Sequence, residues 1–185
     1  MSANRSGKIT SGQIRRLTYA ALYLTLALVL PFVTGQIPEI GAMLCPMHIP
    51  VLLCGFMCGW PWGLAVGLIA PLLRSVLFGM PTLFPTAVAM TFELATYGGM
   101  AGWLYRALPK KRACTYAALV IAMVAGRLAW GGTHLLLAGL SGSEFTVALF
   151  LAGAVTNAVP GIILQLILIP VLVIAMEKAG LAIEE

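Results

Sequence analysis

Aspartate is missing from this chain altogether, and its six acidic residues are all glutamates. Metal sites and proton relays built on aspartate are thereby excluded. Charge of either sign is scarce: charged residues make up 9% of the 185, against 61% hydrophobic residues and a mean hydropathy of +0.99. A soluble domain carries roughly 25% charged residues, so no water-facing surface can be built from this composition. Lysine occurs only four times and no G-x-x-x-x-G-K-[ST] run is present, which removes ATP hydrolysis by a phosphate loop. The four cysteines, Cys45, Cys54, Cys58 and Cys114, lie in or beside apolar segments and suggest no disulfide framework. Cys54 and Cys58, four residues apart, could share a metal, but small apolar packing residues describe them better. No metal site and no cofactor is expected. What remains is an integral membrane protein.

Hydropathy and its breakers divide the chain into six spans, over about 17–34, 42–58, 62–78, 85–108, 114–137 and a long one at 145–176. The joints are Pro38, Gly59-Trp60-Pro61, Gly79-Met80-Pro81, Pro109 and the stretch from Gly139 to Gly142. The first apolar run is longer than a signal-peptide core and no A-x-A-like site follows it, so a retained helix is expected. The net charge of +5 calls for no nucleic acid, because most positive residues flank spans. Arg5, Lys8, Arg15 and Arg16 precede the first span, Lys110, Lys111 and Arg112 separate the fourth and fifth, and Lys178 follows the sixth. The loops holding Glu39, Met80 and Glu144 contain no lysine or arginine. Both termini and the basic loop are therefore expected in the cytoplasm of a multi-pass plasma-membrane protein. Residues 1–16 form a basic cytoplasmic segment, 17–177 a six-helix transmembrane bundle and 178–185 a cytoplasmic tail. No internal repeat is evident.

Polar residues that survive inside spans usually touch something that binds or crosses there. The set is short: Arg74, Glu93, Arg127, His134, Asn157 and Gln165, with His48 near the start of the second span. Glu93 is expected to pair with Arg74 or Arg127, leaving the other arginine as an anchor for a carboxylate or phosphate through its planar fork of donors. By position along their spans, His48, Arg74, Arg127 and His134 lie in the middle or external half. They could converge on an outward-opening pocket lined by Trp130, Tyr97 and Met90. The glycines at 55, 59, 63 and 67 read as close helix packing rather than ligand contact. Ala21 and Thr25 form a small-x-x-x-small face that either packs inside the bundle or docks another subunit.

Gly139-Leu140-Ser141-Gly142 matches the G-x-S-G of rhomboid-type intramembrane proteases. Its serine falls in an expected loop, however, and both histidines precede it, the reverse of the rhomboid order. A stand-alone secondary transporter is the other alternative.

The run Met47-His48-Ile49-Pro50, then Cys54-Gly55, Gly59-Trp60-Pro61-Trp62-Gly63, Pro71-Leu72-Leu73-Arg74, Gly79-Met80-Pro81 and Glu93-Leu94-Ala95-Thr96-Tyr97-Gly98 complete a loose pattern. With the topology, it resembles the substrate-binding S components of energy-coupling factor (ECF) vitamin transporters, over residues 17–176. The methionine-histidine-isoleucine-proline run and the external arginine look closest to the pantothenate- and riboflavin-type branch. The resemblance implies a non-enzymatic subunit that binds a small vitamin-like molecule outside, with the loop after the first span as a lid. A membrane-embedded ECF coupling subunit and two ATPase subunits would then topple it in the lipid bilayer to release ligand inside. The family's docking face maps onto Ala21 and Thr25, with threonine where the family has alanine. Site residues implied or read from the pattern are His48, Arg74, Glu93, Tyr97, Arg127, Trp130 and His134, and an anionic, pantothenate-like ligand fits the excess of arginine over acid in the spans.

Overall fold

The computed structural model describes residues 11–34, 44–141 and 158–180, together with Thr146 and Gly153. Its described residues form an all-α bundle of six helices: α1 Ser11–Thr34, α2 His48–Cys58, α3 Trp60–Phe78, α4 Val88–Ala107, α5 Arg112–Ser141 and α6 Val159–Lys178. A wide helical turn, Leu83–Ala87, leads into α4. Helices α1, α3, α5 and α6 are long and apolar enough to cross a bilayer. α4 has the same length as α6, 20 residues, but a more polar composition that includes Glu93 and Arg106.

The second expected span is shorter than hydropathy implies. α2 has 11 residues, and every one of them is buried. It starts late: Pro46 disfavours right-handed helix at the residue before it, and Cys45 there has a positive φ of 48°, outside the helix. Pro50 lies within the first turn, where its missing amide hydrogen costs nothing. An apolar helix too short to span is stable here because α1, α3, α4 and α6 sheathe it. Residues 42 and 43 of the expected span lie outside the described residues, as do Glu39, Glu144 and Asn157.

Two other boundaries differ. α1 begins at Ser11 rather than about residue 17, since Gln13, Arg15 and Arg16 are good helix formers that hydropathy leaves outside a span. α5 runs through Gly139 to Ser141, so the expected break and the loop position of Ser141 give way to a helix end. A single interior glycine costs only about 1 kcal/mol, too little to stop a 30-residue helix. Most of the expected start of the sixth span lies outside the described residues, and α6 is described from Val159.

α2 and α3 are separated by Gly59 alone, at φ 96°, and a Cβ there would fall 2.6 Å from the Arg106 guanidinium carbon. The positive φ is what calls for glycine, since the Arg106 guanidinium is the end of a flexible side chain that can shift. The glycines beyond it bring α2, α3 and α4 into backbone contact: a Cβ on Gly63 would lie 2.6 Å from Gly55 Cα and 2.8 Å from the Gly98 carbonyl carbon. Such small-residue seams replace the hydrophobic force that lipid removes, and the packing role expected for these glycines is what the seam displays. Around it, Leu52, Cys54, Cys58, Leu94, Ala101, Leu119, Ile169 and Val173 are fully buried.

The two chain ends meet at one end of the bundle. The Arg15 guanidinium donates to the Gly180 carbonyl at 3.0 Å, the Tyr23 hydroxyl to Met176 Sδ at 3.6 Å, and the Tyr105 hydroxyl to Glu177 Oε1. Arg106 and the Lys110-Lys111-Arg112 turn share this end by connectivity. The start of α2, the end of α3 and the start of α4 occupy the opposite end.

Candidate ligand site

Toward that opposite end, three helices deliver polar groups to one point. His48 is the first residue of α2, Glu93 lies in the second turn of α4 and Arg127 is midway along α5. Arg127 Nη1 stands 2.9 Å and His48 Nε2 3.3 Å from the same atom, Glu93 Oε1, in surroundings that leave the Glu93 side chain 2% exposed. Tyr97, one turn after Glu93 and fully buried, sets its ring edge-on to His48 with centroids 5.1 Å apart. Gly126 makes room for that ring, since a Cβ there would fall 2.9 Å from Tyr97 Cε1. Arg127 Nη2 also donates to Cys45 Sγ at 3.7 Å, so the turn before α2 is tied to α5.

The convergence is close but incompletely bonded. His48 Nδ1 and Nε2, Glu93 Oε1 and Arg127 Nε have no aligned hydrogen-bond partner among the described residues, although the ion-pair distances are short. Buried polar atoms are ordinarily satisfied, and a cluster that leaves His48 Nδ1 and Arg127 Nε without a close polar neighbour among the described residues is suited to a guest that supplies hydrogen-bonding groups. One turn farther along α5 from Arg127, Trp130 meets His134 in a tilted ring contact, with centroids 4.5 Å apart and an interplanar angle of 56°. Trp130 lies against Gly153, and an added Cβ there would come within 3.3 Å of its ring.

Of the residues expected from sequence, His48, Glu93, Tyr97 and Arg127 are brought into mutual contact, and Trp130 with His134 extends the set along α5. Arg127 is the arginine that pairs with Glu93. Arg74 stands apart from them, between α1 and α3. Its Nη1 donates to the Leu28 carbonyl at 2.5 Å, and its guanidinium carbon lies 4.7 Å from the Phe32 ring and 5.7 Å from that of Phe78. Those rings meet edge to face at 4.8 Å. Cys45 was not expected in the site, because a cysteine in an apolar run signals packing and nothing in its spacing marks Arg127 as a neighbour. Ala21 and Thr25 are exposed on α1, while Ala20, Tyr23 and Ala27 face the bundle. The Thr25 hydroxyl donates to the Ala21 carbonyl at 2.9 Å.

No curated protein and no solved structure matches this chain. The family model described as ECF transporter, substrate-specific component, does match it, over residues 15–173. A six-helix membrane bundle with a polar cluster buried among apolar helices is thus accompanied by a match across nearly its whole length, and the chain belongs to the substrate-specific component family of ECF transporters.

Proposed function

We propose that this subunit captures a small vitamin or related micronutrient from outside the cell at the cluster of His48, Glu93, Tyr97 and Arg127. The observation that carries the reading is the buried Glu93–Arg127 pair with unfilled hydrogen-bonding atoms around it. A buried ion pair contributes little to stability by itself, and inside a bilayer it is a functional feature by default. The end bearing Arg15, Arg16, Lys110, Lys111, Arg112 and Lys178 faces the cytoplasm by the positive-inside rule, which turns the cluster toward the exterior. Trp130 and Tyr97 supply apolar surface for the ligand's body.

An anionic, pantothenate-like ligand is the reading we carry forward. Arg127 is assigned as its anchor: Nη1 is engaged with Glu93, while Nε keeps a donor open toward a carboxylate or carbonyl oxygen. His48 Nδ1 adds a second hydrogen-bonding atom beside it. Arg74, committed to Leu28 and to two phenyl rings, is assigned to holding α1.

Delivery uses partners. Ala21 and Thr25 offer a low, exposed ridge on α1 whose only hydroxyl is bonded internally, so a helix of the membrane-embedded coupling subunit can approach without stranding a polar group. Two ATPase subunits attached to that coupling subunit drive ligand release.

Calorimetry of the purified chain against pantothenate, riboflavin, biotin, folate and lipoate tests the capture step. Affinity in the micromolar range or tighter for one of them is expected, and absence of binding to all five sinks the proposal. Vesicles holding this chain alone should accumulate none of the bound vitamin, and uptake without ATPase partners would reject the subunit assignment.

A further inference from the structure

α6 turns one face toward the bundle. Gly161, Gln165, Ile169, Pro170 and Val173 are its buried residues, and Gln165, Ile169 and Val173 recur at every fourth position. Ile169 and Val173 join the apolar core, whereas Gln165 places a carboxamide there at 1% exposure. Its Oε1 has no hydrogen-bond partner among the described residues. A buried amide oxygen is unfavourable unless a donor completes it.

The register of the bundle locates this group. Tyr105 of α4 and Glu177 of α6 are in contact through the tyrosine hydroxyl, which puts these two residues near a common height. Both helices run toward the basic end. Glu93 precedes Tyr105 by as many residues as Gln165 precedes Glu177, about 18 Å along each axis. Gln165 is therefore at the height of Glu93 and of the Arg127 paired with it. α6 packs against α2 and α5, the helices that carry His48 and Arg127.

We infer that Gln165 belongs to the ligand site, closing it from the α6 side, and that its amide oxygen accepts from an N–H or O–H group of the ligand. The inference rests on the capture function proposed above and sharpens the ligand's chemistry. Arg127 Nε and the His48 imidazole meet the ligand's acceptors. Glu93 Oε1 is engaged by Arg127 and His48, which leaves Gln165 Oε1 as the open acceptor near that height, so the ligand brings at least one donor to it. An acid that also carries an amide or hydroxyl answers both requirements, and a simple fatty acid answers only one.

The test uses the full-length chain in detergent and the five vitamins named above. Gln165→Leu should weaken binding of the vitamin that wild type binds by about 10- to 100-fold, with the thermal midpoint no lower than that of wild type. An analogue of that vitamin with its amide N-methylated or its hydroxyl removed should bind wild type about tenfold more weakly. The same analogue and its parent should bind Gln165→Leu equally, a loss of discrimination that a packing role would not produce. If Gln165→Leu does not fold, Gln165→Asn is compared in the same way, its shorter amide being expected to lose both affinity and discrimination. Unchanged affinity in the folded variant, or discrimination that persists in it, overturns the inference and leaves the capture function standing. Binding of lipoate alone, which offers no donor beyond its acid, also overturns it. Failure of wild type to bind any of the five removes the capture function and this inference together.

Discussion

Arg127 meets a carboxylate between α4 and α5, with its Nη1 2.9 Å from Glu93 Oε1, while Arg74 meets a backbone carbonyl of α1 and the faces of two phenylalanines. Both arginines sit largely buried in helices that otherwise suit lipid. The carboxylate cancels Arg127's charge and, through His48, couples three helices at one point, yet leaves several polar atoms unfilled. The carbonyl and rings leave Arg74's charge intact and use its donor and its flat face. Pro31 lies nearby in α1 and lacks the amide hydrogen that would bond the Ala27 carbonyl. A charge-matched but under-bonded cluster is what a ligand can complete. A cation clamped to a helix backbone is what fixes two helices together.

The sharpest way to break this contrast is to remove the carboxylate. Glu93→Ala leaves Arg127 buried without a counter-charge, and a loss of about 3–5 kcal/mol is expected. Thermal unfolding in detergent should register it, and adding Arg127→Met to the same chain should recover most of the loss. A variant as stable as wild type would mean that the pair is not a matched charge at all.

Arg74→Ala should lower stability by about 2 kcal/mol, through one charged hydrogen bond and the ring contacts. The separation of roles lies in binding: for the vitamin that wild type binds, Arg74→Ala should stay within about twofold of wild type, while Arg127→Ala should lose at least about tenfold. Calorimetry on both variants decides it. A larger binding loss for Arg74→Ala would exchange the two assignments.

These roles were only partly legible in the sequence. That the chain is a membrane protein follows from composition, because 9% charge cannot cover a water-facing surface, and that it is helical follows from apolar runs of spanning length. The polar set of His48, Glu93 and Arg127 was also visible, since any ionisable residue in such runs stands out. Which arginine meets Glu93 was not, because both arginines lie on helices whose depth is compatible with it, and the choice depends on rotation about the helix axes. Hydropathy cannot reveal that rotation when lipid-facing and core-facing positions are equally apolar, as α1 illustrates with exposed Leu22 and Leu26 beside buried Tyr23 and Ala27. The short α2 escaped for a related reason: hydropathy counts apolar residues and is blind to the left-handed backbone at Cys45 that sets its start.

A smaller change probes the ring half of the Arg74 clamp. Phe78→Leu keeps an apolar side chain but removes the edge-to-face partner of Phe32 and one of the two faces over Arg74. A loss of about 1 kcal/mol is expected, and the same substitution in an Arg74→Ala background should cost less. Equal losses in the two backgrounds would show that Phe78 acts on Phe32 alone.

The smallest expected effect tests why the Leu28 region needs an arginine. Proline at position 31 removes the donor for the Ala27 carbonyl, one residue before the Leu28 carbonyl that Arg74 reaches from α3, so the two sit on one weakened turn of α1. Pro31→Ala restores an amide hydrogen and should make α1 less dependent on that outside donor. In a double-mutant cycle the Arg74→Ala penalty should therefore shrink by about 0.5–1 kcal/mol when Pro31→Ala is present. Strict additivity would uncouple the two residues. The clamp would then be a matter of stacking on Phe32 and Phe78, and the contrast with Arg127 would rest on aromatic faces rather than on a helix carbonyl.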